Sequence, residues 1–275
     1  MKWFVNYYQD DMVSASDRGL AYGDGVFETI KASPYGFYQL HDHLARLTRG
    51  LKQLGMPLSE EEIQRLKQFL FDDILAETDD FSVVKIIVTR GEGGRGYLPP
   101  TPPKHTILVG VGSAPDYTYE QRHGVHLGLS PIEVSCNRYL SGLKHLNRLE
   151  NVLAKQHLIA KHFEDIMLDY SGNVIECIQS NIFCFDNGVL VTPSLSKAGV
   201  QGTYRKHIIT SQTLYPVNIC PLSLMTLKQA DEIFITNSLM GIVPVISLQG
   251  RSFPIGENTL RLQQLMQTRD VHDVA

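Results

Sequence analysis

The stretch GLKHLNRLENVLAKQHL, residues 142–158, combines the apolar spacing of an amphipathic helix with a basic start. Leu146, Leu149 and Leu153 recur at intervals of three or four residues and form one predicted helical face. Lys144 stands ahead of this stripe, shortly after a Ser-Gly pair. Such a lysine is a solvated charge, a residue that interacts with the helix end, or an amine placed for chemistry. A solvated charge is the commonest of the three, so other parts of the sequence are needed to assign a role to Lys144.

Composition is typical of a globular protein with a sizeable core. The chain has 275 residues, of which 43% are hydrophobic and 20% charged, and a net charge of −4. Its charges form no long run of one sign, which argues against a nucleic-acid binder and a polybasic membrane anchor. The start does not resemble a signal peptide, and no apolar run is long enough to span a bilayer. The four cysteines lack a CxxC pair, which favours a reducing compartment, so we expect a cytoplasmic protein.

Helices and strands alternate irregularly in the first part of the chain. Leucine spacing predicts a helix over 40–54, and an acidic first turn begins a second over 59–75. Runs rich in β-branched residues predict strands over 81–90 and 104–112. The polar stretch 113–124 contains Pro and Gly and is the best candidate for a linker.

The second part contains short strands with clear turns. Hairpins are predicted over 165–177 and 181–193, followed by a glycine-containing turn and a helix over 198–211, and by a helix end, a strand and a loop over 230–245. Together these patterns predict an α+β fold with mixed strand pairing. The expected parts are an N-terminal domain over 1–115, a linker over 116–124 and a C-terminal domain over 125–275.

A glycine-rich loop follows the strand at 81–90. Gly91, Gly93 and Gly96 match the GxGxxG pattern of dinucleotide-binding proteins, which requires a helix directly afterwards. The four prolines that follow forbid a regular helix, so the dinucleotide interpretation fails. The loop presents Arg95 and Tyr97, which suit a carboxylate ligand. A solvated hairpin loop is an equally good interpretation.

Two histidines and an arginine mark the first predicted helix. His41 and His43 lack nearby metal ligands, so a helix start explains them better than a metal site. Arg46 lies off the leucine stripe and is either a surface charge or an anion ligand. Its sequence position alone favours the surface.

Possible phosphate donors occur later in the chain. Gly202 and Thr203 stand at a predicted helix N-terminus, where free N–H groups and the helix dipole favour a phosphate, although an ordinary threonine cap explains them equally well. Asn237 and Ser238 follow a predicted strand and could supply amide and hydroxyl donors. No P-loop, HExxH or GxSxG motif occurs, so NTPase, zinc-protease and serine-hydrolase functions lose their usual support.

Lys144 and Glu176 complete a possible set of cofactor ligands. A carboxylate just after a hairpin turn is more often a surface residue than a functional one. A lysine, a carboxylate and several phosphate donors are nevertheless what pyridoxal phosphate needs. The lysine forms a Schiff base, the carboxylate keeps the pyridine nitrogen protonated, and the donors hold the phosphate.

Four segments together resemble the fold-type IV pyridoxal-phosphate enzymes, a family of D-amino-acid aminotransferases, branched-chain aminotransferases and 4-amino-4-deoxychorismate lyases. The segments occur in the family's order and spacing over nearly the whole chain, and they are SDRGLAYGDGVFET (16–29), GLKHLNRLENVLAKQ (142–156), NVIECIQSNIF (173–183) and GVQGTYR (199–205). The resemblance implies two α/β domains with pyridoxal 5'-phosphate in the cleft between them, and a homodimer.

The resemblance also implies roles for individual residues. Lys144 resembles the Schiff-base lysine, Glu176 the partner of the pyridine nitrogen, and Arg46 the phosphate-binding arginine. The remaining positions similar to the family's phosphate-binding residues are Gly202, Thr203, Tyr204, Asn237 and Ser238.

Within the family, the GGRGY and KHLNRLE sequences look most like those of the lyases. Arg95 and Tyr97 would then face a substrate carboxylate. Phe27 replaces a tyrosine that helps the D-amino-acid aminotransferases to bind the α-carboxylate, and Thr29 lies near that position. The implied reaction converts 4-amino-4-deoxychorismate to 4-aminobenzoate and pyruvate, a step in folate synthesis.

Three alternatives compete with this interpretation. An aminotransferase would share the cofactor and all of its ligands. A non-catalytic pyridoxal-phosphate-binding protein is disfavoured because Lys144 and Glu176 are both present. A nicotinamide-dependent enzyme, suggested by GxGxxG, has the weakest support. No metal site is expected.

Overall fold

A computed structural model describes residues 1–78, 80–269 and 272–273 of the protein. The chain forms two compact units. The N-terminal unit comprises residues 1–115, 143–147 and 272–273, and the C-terminal unit comprises residues 116–142 and 148–269. The short segment 143–147 therefore belongs to the first unit although both of its neighbours in sequence belong to the second.

The elements follow one another in this order. The N-terminal unit begins with β1 (Lys2–Val5), β2 (Tyr8–Gln9), α1 (Arg18–Tyr22), β3 (Gly25–Ser33), β4 (Gly36–Tyr38), α2 (Leu40–Gln53), α3 (Glu60–Phe69), a π-helical turn (Leu70–Ile74), a 3₁₀ turn (Leu75–Glu77), β5 (Ser82–Thr89) and β6 (Thr106–Ser113). The C-terminal unit contains α4 (Thr118–His123), β7 (Val125–Leu129), α5 (Leu149–His157), β8 (Glu164–Leu168), β9 (Asn173–Cys177), β10 (Asn181–Asp186), β11 (Val189–Pro193), α6 (Thr203–Ser211), β12 (Val217–Cys220), β13 (Leu222–Ser223), α7 (Leu224–Gln229), β14 (Glu232–Asn237), β15 (Gly241–Leu248), β16 (Arg251–Ser252) and α8 (Glu257–Arg269). The last strand, β17 (His272–Asp273), pairs with β4 of the N-terminal unit.

The N-terminal unit is built on a seven-stranded sheet in the order β17-β4-β3-β5-β6-β1-β2, in which all pairs are antiparallel. Strands β3 and β5 alternate buried with half-buried residues, so one face of the sheet lies on the core. Helix α2 covers that face with Leu40, Leu44, Leu47 and Leu51. The helix predicted from the leucine spacing is thereby confirmed.

The second predicted helix is confirmed in α3 but changes character before its end. Ser59 and Glu62 form a reciprocal capping box that fixes its start. After Phe69 the chain continues as the π-helical turn and then as the 3₁₀ turn. The apolar side chains of Leu70 and Ile74 remain fully buried through this change, so the core contact continues although the helix type does not.

The C-terminal unit contains a ten-stranded mixed sheet. Its main path runs β12-β11-β10-β14-β15-β7-β8-β9-β13, with β16 on β15. The pairs β11·β12, β7·β15 and β7·β8 are parallel and the others antiparallel, which confirms the mixed pairing expected of an α+β fold. Both predicted hairpins are present as β8·β9 and β10·β11. The second turns on Asn187 and Gly188, whose φ values of 49° and 78° are left-handed.

Two sequence expectations need correction. Residues 118–123 of the expected linker form helix α4. The helix predicted from residue 142 begins only at Leu149, because the backbone of residues 144–146 bonds to β3 instead. The predicted apolar face is not buried within the chain, since Leu149 and Leu153 are 76% and 45% exposed.

Among the described residues, no helix combines the length and apolar character that a bilayer crossing requires.

Candidate active site

Lys144 is held on the edge of β3 by backbone hydrogen bonds. The Phe27 N–H donates to the Lys144 carbonyl over 2.9 Å, and the Leu146 N–H donates to the Gly25 carbonyl over 3.0 Å. Val26 and His145 thus form an antiparallel bridge. The Lys144 Nζ lies 4.4 Å from the centre of the Phe27 ring. The amine is therefore fixed beside a strand of the sheet rather than carried on a helix.

Phe27 and Thr29 share one face of β3, because side chains two residues apart on a strand point to the same side. Both are half-buried, whereas Val26, Glu28 and Ile30 between and beside them are buried. The structure thus places two of the predicted substrate residues on the face of β3 that carries the Lys144 amine.

Arg46 is a buried residue paired with a carboxylate, not a surface charge. It is 6% exposed, its Nε donates to Glu28 Oε1 over 2.8 Å, and its Nη2 donates to Glu28 Oε2. His43 Nδ1 lies 2.6 Å from the same Oε2. The surface interpretation of Arg46 is wrong, and His43 has a specific partner beyond its position near the start of α2. His41 is exposed.

Burial and charge act in opposite directions in this cluster. Burial by itself would raise the pKa of Glu28, but Arg46 and His43 lower that pKa to about 2. Burial also lowers the pKa of His43; Glu28 opposes this shift, while Arg46 and Lys144 add to it. Glu28 is therefore an anion at neutral pH, and the charges of Arg46 and Lys144 both act on the His43 ring.

Glu176 occupies a buried position on β9 of the C-terminal unit. Its side chain is 5% exposed and Oε2 accepts a 2.8 Å hydrogen bond from the Val200 N–H. Gly199 beside it has a φ of 80°, and a Cβ there would lie 3.3 Å from Glu176 Oε2. Asn181 donates to the Val200 carbonyl over 2.9 Å and so holds the same turn from the next strand. Burial excludes the surface interpretation of this carboxylate.

The turn after Val200 leads directly into α6. Gly202 caps the helix with no side-chain bond, and Thr203 and Tyr204 are buried in its first turn. A Cβ at Gly202 would lie 2.0 Å from Asn181 Oδ1, so only glycine allows this approach. Thr203 is therefore not the cap residue. Helix α6 begins without a side-chain cap bond, at the position where the sequence predicts a phosphate.

Arg205 and Asn237 of the C-terminal unit are held by different hydrogen bonds. Arg205 is 8% exposed and bonds to the Thr192 hydroxyl and the Pro193 carbonyl. Burial lowers the pKa of Arg205 to about 10, although Glu176 acts in the opposite direction. Asn237 uses Oδ1 to accept from the N–H groups of Leu239 and Met240, so it shapes the turn that contains Ser238.

The structure divides the predicted residues between the two units. The N-terminal unit carries Lys144, Arg46, Phe27, Thr29, Arg95 and Tyr97, and the C-terminal unit carries Glu176, Gly202, Thr203, Tyr204, Asn237 and Ser238. Arg95 and Tyr97 lie on the exposed loop between β5 and β6, and no helix follows the GxGxxG glycines. The structure thus supports the rejection of a dinucleotide fingerprint.

Sequence reasoning missed Glu28 and Arg18. Glu28 stands between Val26 and Ile30 at the inward positions of an alternating strand, and a charge there is a signal of a buried partner. Arg18 is 4% exposed and bonds to Asp24, but its sequence position on a five-residue helix gives no such signal.

Replacing Glu28 by Gln should destabilise the N-terminal unit. Arg46 would remain buried without its counter-charge, and we expect a loss of about 3–5 kcal/mol in the free energy of unfolding at pH 7. Urea unfolding measures this loss. Glu61→Gln, a change at an exposed residue of α3, is the control and should have little effect.

The loss of stability caused by Glu28→Gln should depend on pH. Because the folded-state pKa of Glu28 lies below its ordinary value of 4.5, its stabilisation is complete above that value and disappears as the pH falls toward 2. The difference between the wild type and Glu28→Gln should shrink over this range. A difference that is absent at pH 7, or that grows in acid, would contradict the assigned ion pair.

Comparison with known proteins extends over the whole chain. The amino-transferase class IV family model matches residues 25–248. An aminodeoxychorismate lyase of Vibrio harveyi is 32% identical over 97% of this chain and 100% of its own. A protein of Methanocaldococcus jannaschii, provisionally named a branched-chain-amino-acid aminotransferase, is 34% identical over 93% of this chain and 90% of its own.

A solved structure shares both sequence and fold. The 4-amino-4-deoxychorismate lyase of Pseudomonas aeruginosa is 38% identical, superposes with a TM-score of 0.92, and covers 98% of this chain and 100% of its own. With the family model matched from β3 to the end of β15, the chain belongs to the class IV aminotransferase family.

Proposed function

We propose that the protein is a pyridoxal-phosphate-dependent lyase that converts 4-amino-4-deoxychorismate to 4-aminobenzoate and pyruvate. The observation that carries the proposal is the fixed position of Lys144 on β3, beside Phe27 and in the same unit as the Arg95 loop. The likeness to two lyases along the whole chain supports it.

The residues present suit the proposed cofactor. Glu176 is a buried carboxylate of the kind that keeps a pyridine nitrogen protonated. Helix α6 starts without a side-chain cap bond, and its N-terminal dipole favours a phosphate. A side chain at Gly202 would clash with Asn181 there. Arg46 adds a guanidinium held in place by Glu28. We therefore assign Lys144, Glu176, Arg46, Gly202, Thr203, Tyr204, Asn237 and Ser238 to cofactor binding.

In the proposed reaction Lys144 has two successive tasks. Its Nζ would hold the cofactor covalently, and once free it would take the proton from the ring carbon that bears the substrate amine. When bound, the cofactor supplies an electron-withdrawing ring for the electron pair that the proton leaves behind. Arg95 binds a substrate carboxylate, and Tyr97, Phe27 and Thr29 line the substrate side.

The leaving group distinguishes this reaction from transamination. Departure of the enolpyruvyl oxygen after proton removal makes the substrate ring aromatic, and the released enolpyruvate becomes pyruvate by taking up a proton. No second substrate is consumed. An aminotransferase would instead need a keto acid to complete its cycle, and the likeness to the protein of Methanocaldococcus jannaschii is what favours this second candidate.

Incubation with 4-amino-4-deoxychorismate should yield pyruvate and 4-aminobenzoate in equal amounts with no added keto acid. Coupled lactate dehydrogenase measures pyruvate, and chromatography measures 4-aminobenzoate. Parallel incubations with D-alanine or a branched-chain amino acid plus 2-oxoglutarate provide the comparison. Turnover only in those incubations would make the protein an aminotransferase.

Borohydride reduction of the cofactor-loaded enzyme should fix the label on Lys144. Peptide mapping by mass spectrometry locates it. Lys144→Ala should bind the cofactor without a covalent link and lose nearly all turnover, because both the link and the base are removed. Lys155→Ala, a change at an exposed lysine of α5, is the control. A label on any other lysine would overturn the assignment.

We also propose that the protein works as a homodimer in the cytoplasm. The four cysteines are free thiols, which suits a reducing compartment. Leu149, Val152 and Leu153 leave an exposed apolar face on α5, the helix that follows Lys144.

A second copy of the chain would cover this face, so Leu153→Asp should shift the protein from dimer to monomer by analytical ultracentrifugation. Leu214→Asp, at an exposed leucine outside α5, should leave the dimer intact. A wild-type protein that sediments as a monomer would contradict the proposal.

A further inference from the structure

The glycines of the GxGxxG sequence shape a loop that closes around Arg18. Gly91 has a φ of 82°, and a Cβ there would lie 1.7 Å from the Lys104 carbonyl oxygen. A Cβ at Gly93 would lie 2.6 Å from Cδ of Arg18, so glycine leaves room for this side chain. Gly96 has a φ of 84°, which glycine adopts at no steric cost. The pattern that mimics a dinucleotide fingerprint is therefore explained by the shape of this loop.

Arg18 binds the tip of the loop through the two terminal nitrogens of its guanidinium. Nη1 donates to the Gly96 carbonyl over 3.1 Å and Nη2 donates to the Tyr97 carbonyl over 3.0 Å. Its Cζ lies 4.7 Å from the centre of the Tyr22 ring, which in turn lies 5.6 Å from the Tyr97 ring. Arg18 is 4% exposed, whereas Tyr97 is 85% exposed. A buried cation thus holds a loop whose side chains point to solvent.

Asp24 fixes Arg18 in turn. Its Oδ2 accepts from Arg18 Nε over 2.9 Å and from Arg90 Nε over 2.7 Å. The remaining bonds of Arg90 run to Oδ1 of Asp24 and to the carbonyls of Leu54 and Gly55 at the end of α2. The two arginines therefore share one carboxylate, but only Arg18 bonds to the carbonyls at the loop tip.

We propose that Arg18 is a positioning residue that fixes the 93–97 loop so that Arg95 is presented to the substrate carboxylate in a preset conformation; this inference rests on the proposed function. Arg95 has glycines on both sides, and such a segment has high conformational entropy unless it is held. The two carbonyl bonds from Arg18 remove that freedom before the substrate arrives. Substrate binding then loses less conformational entropy, which favours a low KM.

The test compares Arg18→Met with Arg90→Met. Both variants lose a cation opposite Asp24, but only the first loses the bonds to Gly96 and Tyr97. Trypsin cleavage between Arg95 and Gly96, followed by mass spectrometry, reports on release of the loop and needs no substrate. We expect Arg18→Met to be cleaved about tenfold faster than the wild type, and Arg90→Met at nearly the wild-type rate when each is compared at the same margin below its own melting temperature.

Kinetics with 4-amino-4-deoxychorismate supply the second readout. Arg18→Met should raise KM about tenfold with a smaller change in kcat and an unchanged cofactor absorbance. The double variant with Arg95→Met should have the same KM as Arg95→Met alone, because Arg18 acts through Arg95. If Arg18→Met fails to fold, Arg18→Lys replaces it, since an ammonium can pair with Asp24 but cannot bond to both carbonyls in the same geometry.

Three results would overturn the proposal: cleavage of Arg18→Met no faster than that of Arg90→Met, an unchanged KM in Arg18→Met, or effects of Arg18 and Arg95 on KM that multiply. A wild-type protein that does not turn over 4-amino-4-deoxychorismate would refute the proposed function instead. The proteolysis comparison would then still decide whether Arg18 holds the loop.

Discussion

Two backbone hydrogen bonds between residues 144–146 and the start of β3 determine where the candidate amine stands. They use the edge of β3 that β4 leaves unpaired, since β4 reaches only Ala32 and Ser33. A lysine side chain is long and flexible, so its usefulness as a base depends on how well its backbone is fixed. Here a strand of the seven-stranded sheet supplies that support, and the other edge of β3 pairs with β5 from Gly25 to Ala32.

Burying the polar and charged side chains that pack under β3 costs free energy, and the pairing between them offsets this cost. Glu28, His43 and Arg46 are all nearly inaccessible to solvent, and a buried ion without a partner is strongly unfavourable. Their mutual hydrogen bonds fix the guanidinium of Arg46 in one orientation. This is the property that an anion site needs, because a preset donor loses little entropy when its ligand binds.

Periodicity and turn chemistry in the sequence were sufficient to predict the leucine-striped helix, the two hairpins and the mixed sheet, since each depends on local patterns. The start of α5 could not be predicted in this way. Residues 144–146 have the apolar spacing of a helix, and only the free edge of β3, distant in sequence, draws them into strand pairing.

The same distinction applies to the site residues. Resemblance to a known family singled out Lys144 and Glu176 as candidates, but the ion pair of Arg46 required knowledge of which face of β3 is buried. The role of Arg18 is harder still to predict, because its partners at 96 and 97 are backbone carbonyls and backbone carbonyls leave no signature in a sequence.

The path of the chain between the units has a consequence for synthesis. The N-terminal unit takes one of its pieces, residues 143–147, from beyond the first segment of the C-terminal unit. Until residue 147 has left the ribosome, the edge of β3 at Gly25 and Phe27 has no backbone partner from this piece. Open strand edges invite pairing between nascent chains, so this edge is open to such pairing during synthesis. The unit that is translated first is therefore completed only after the second has begun.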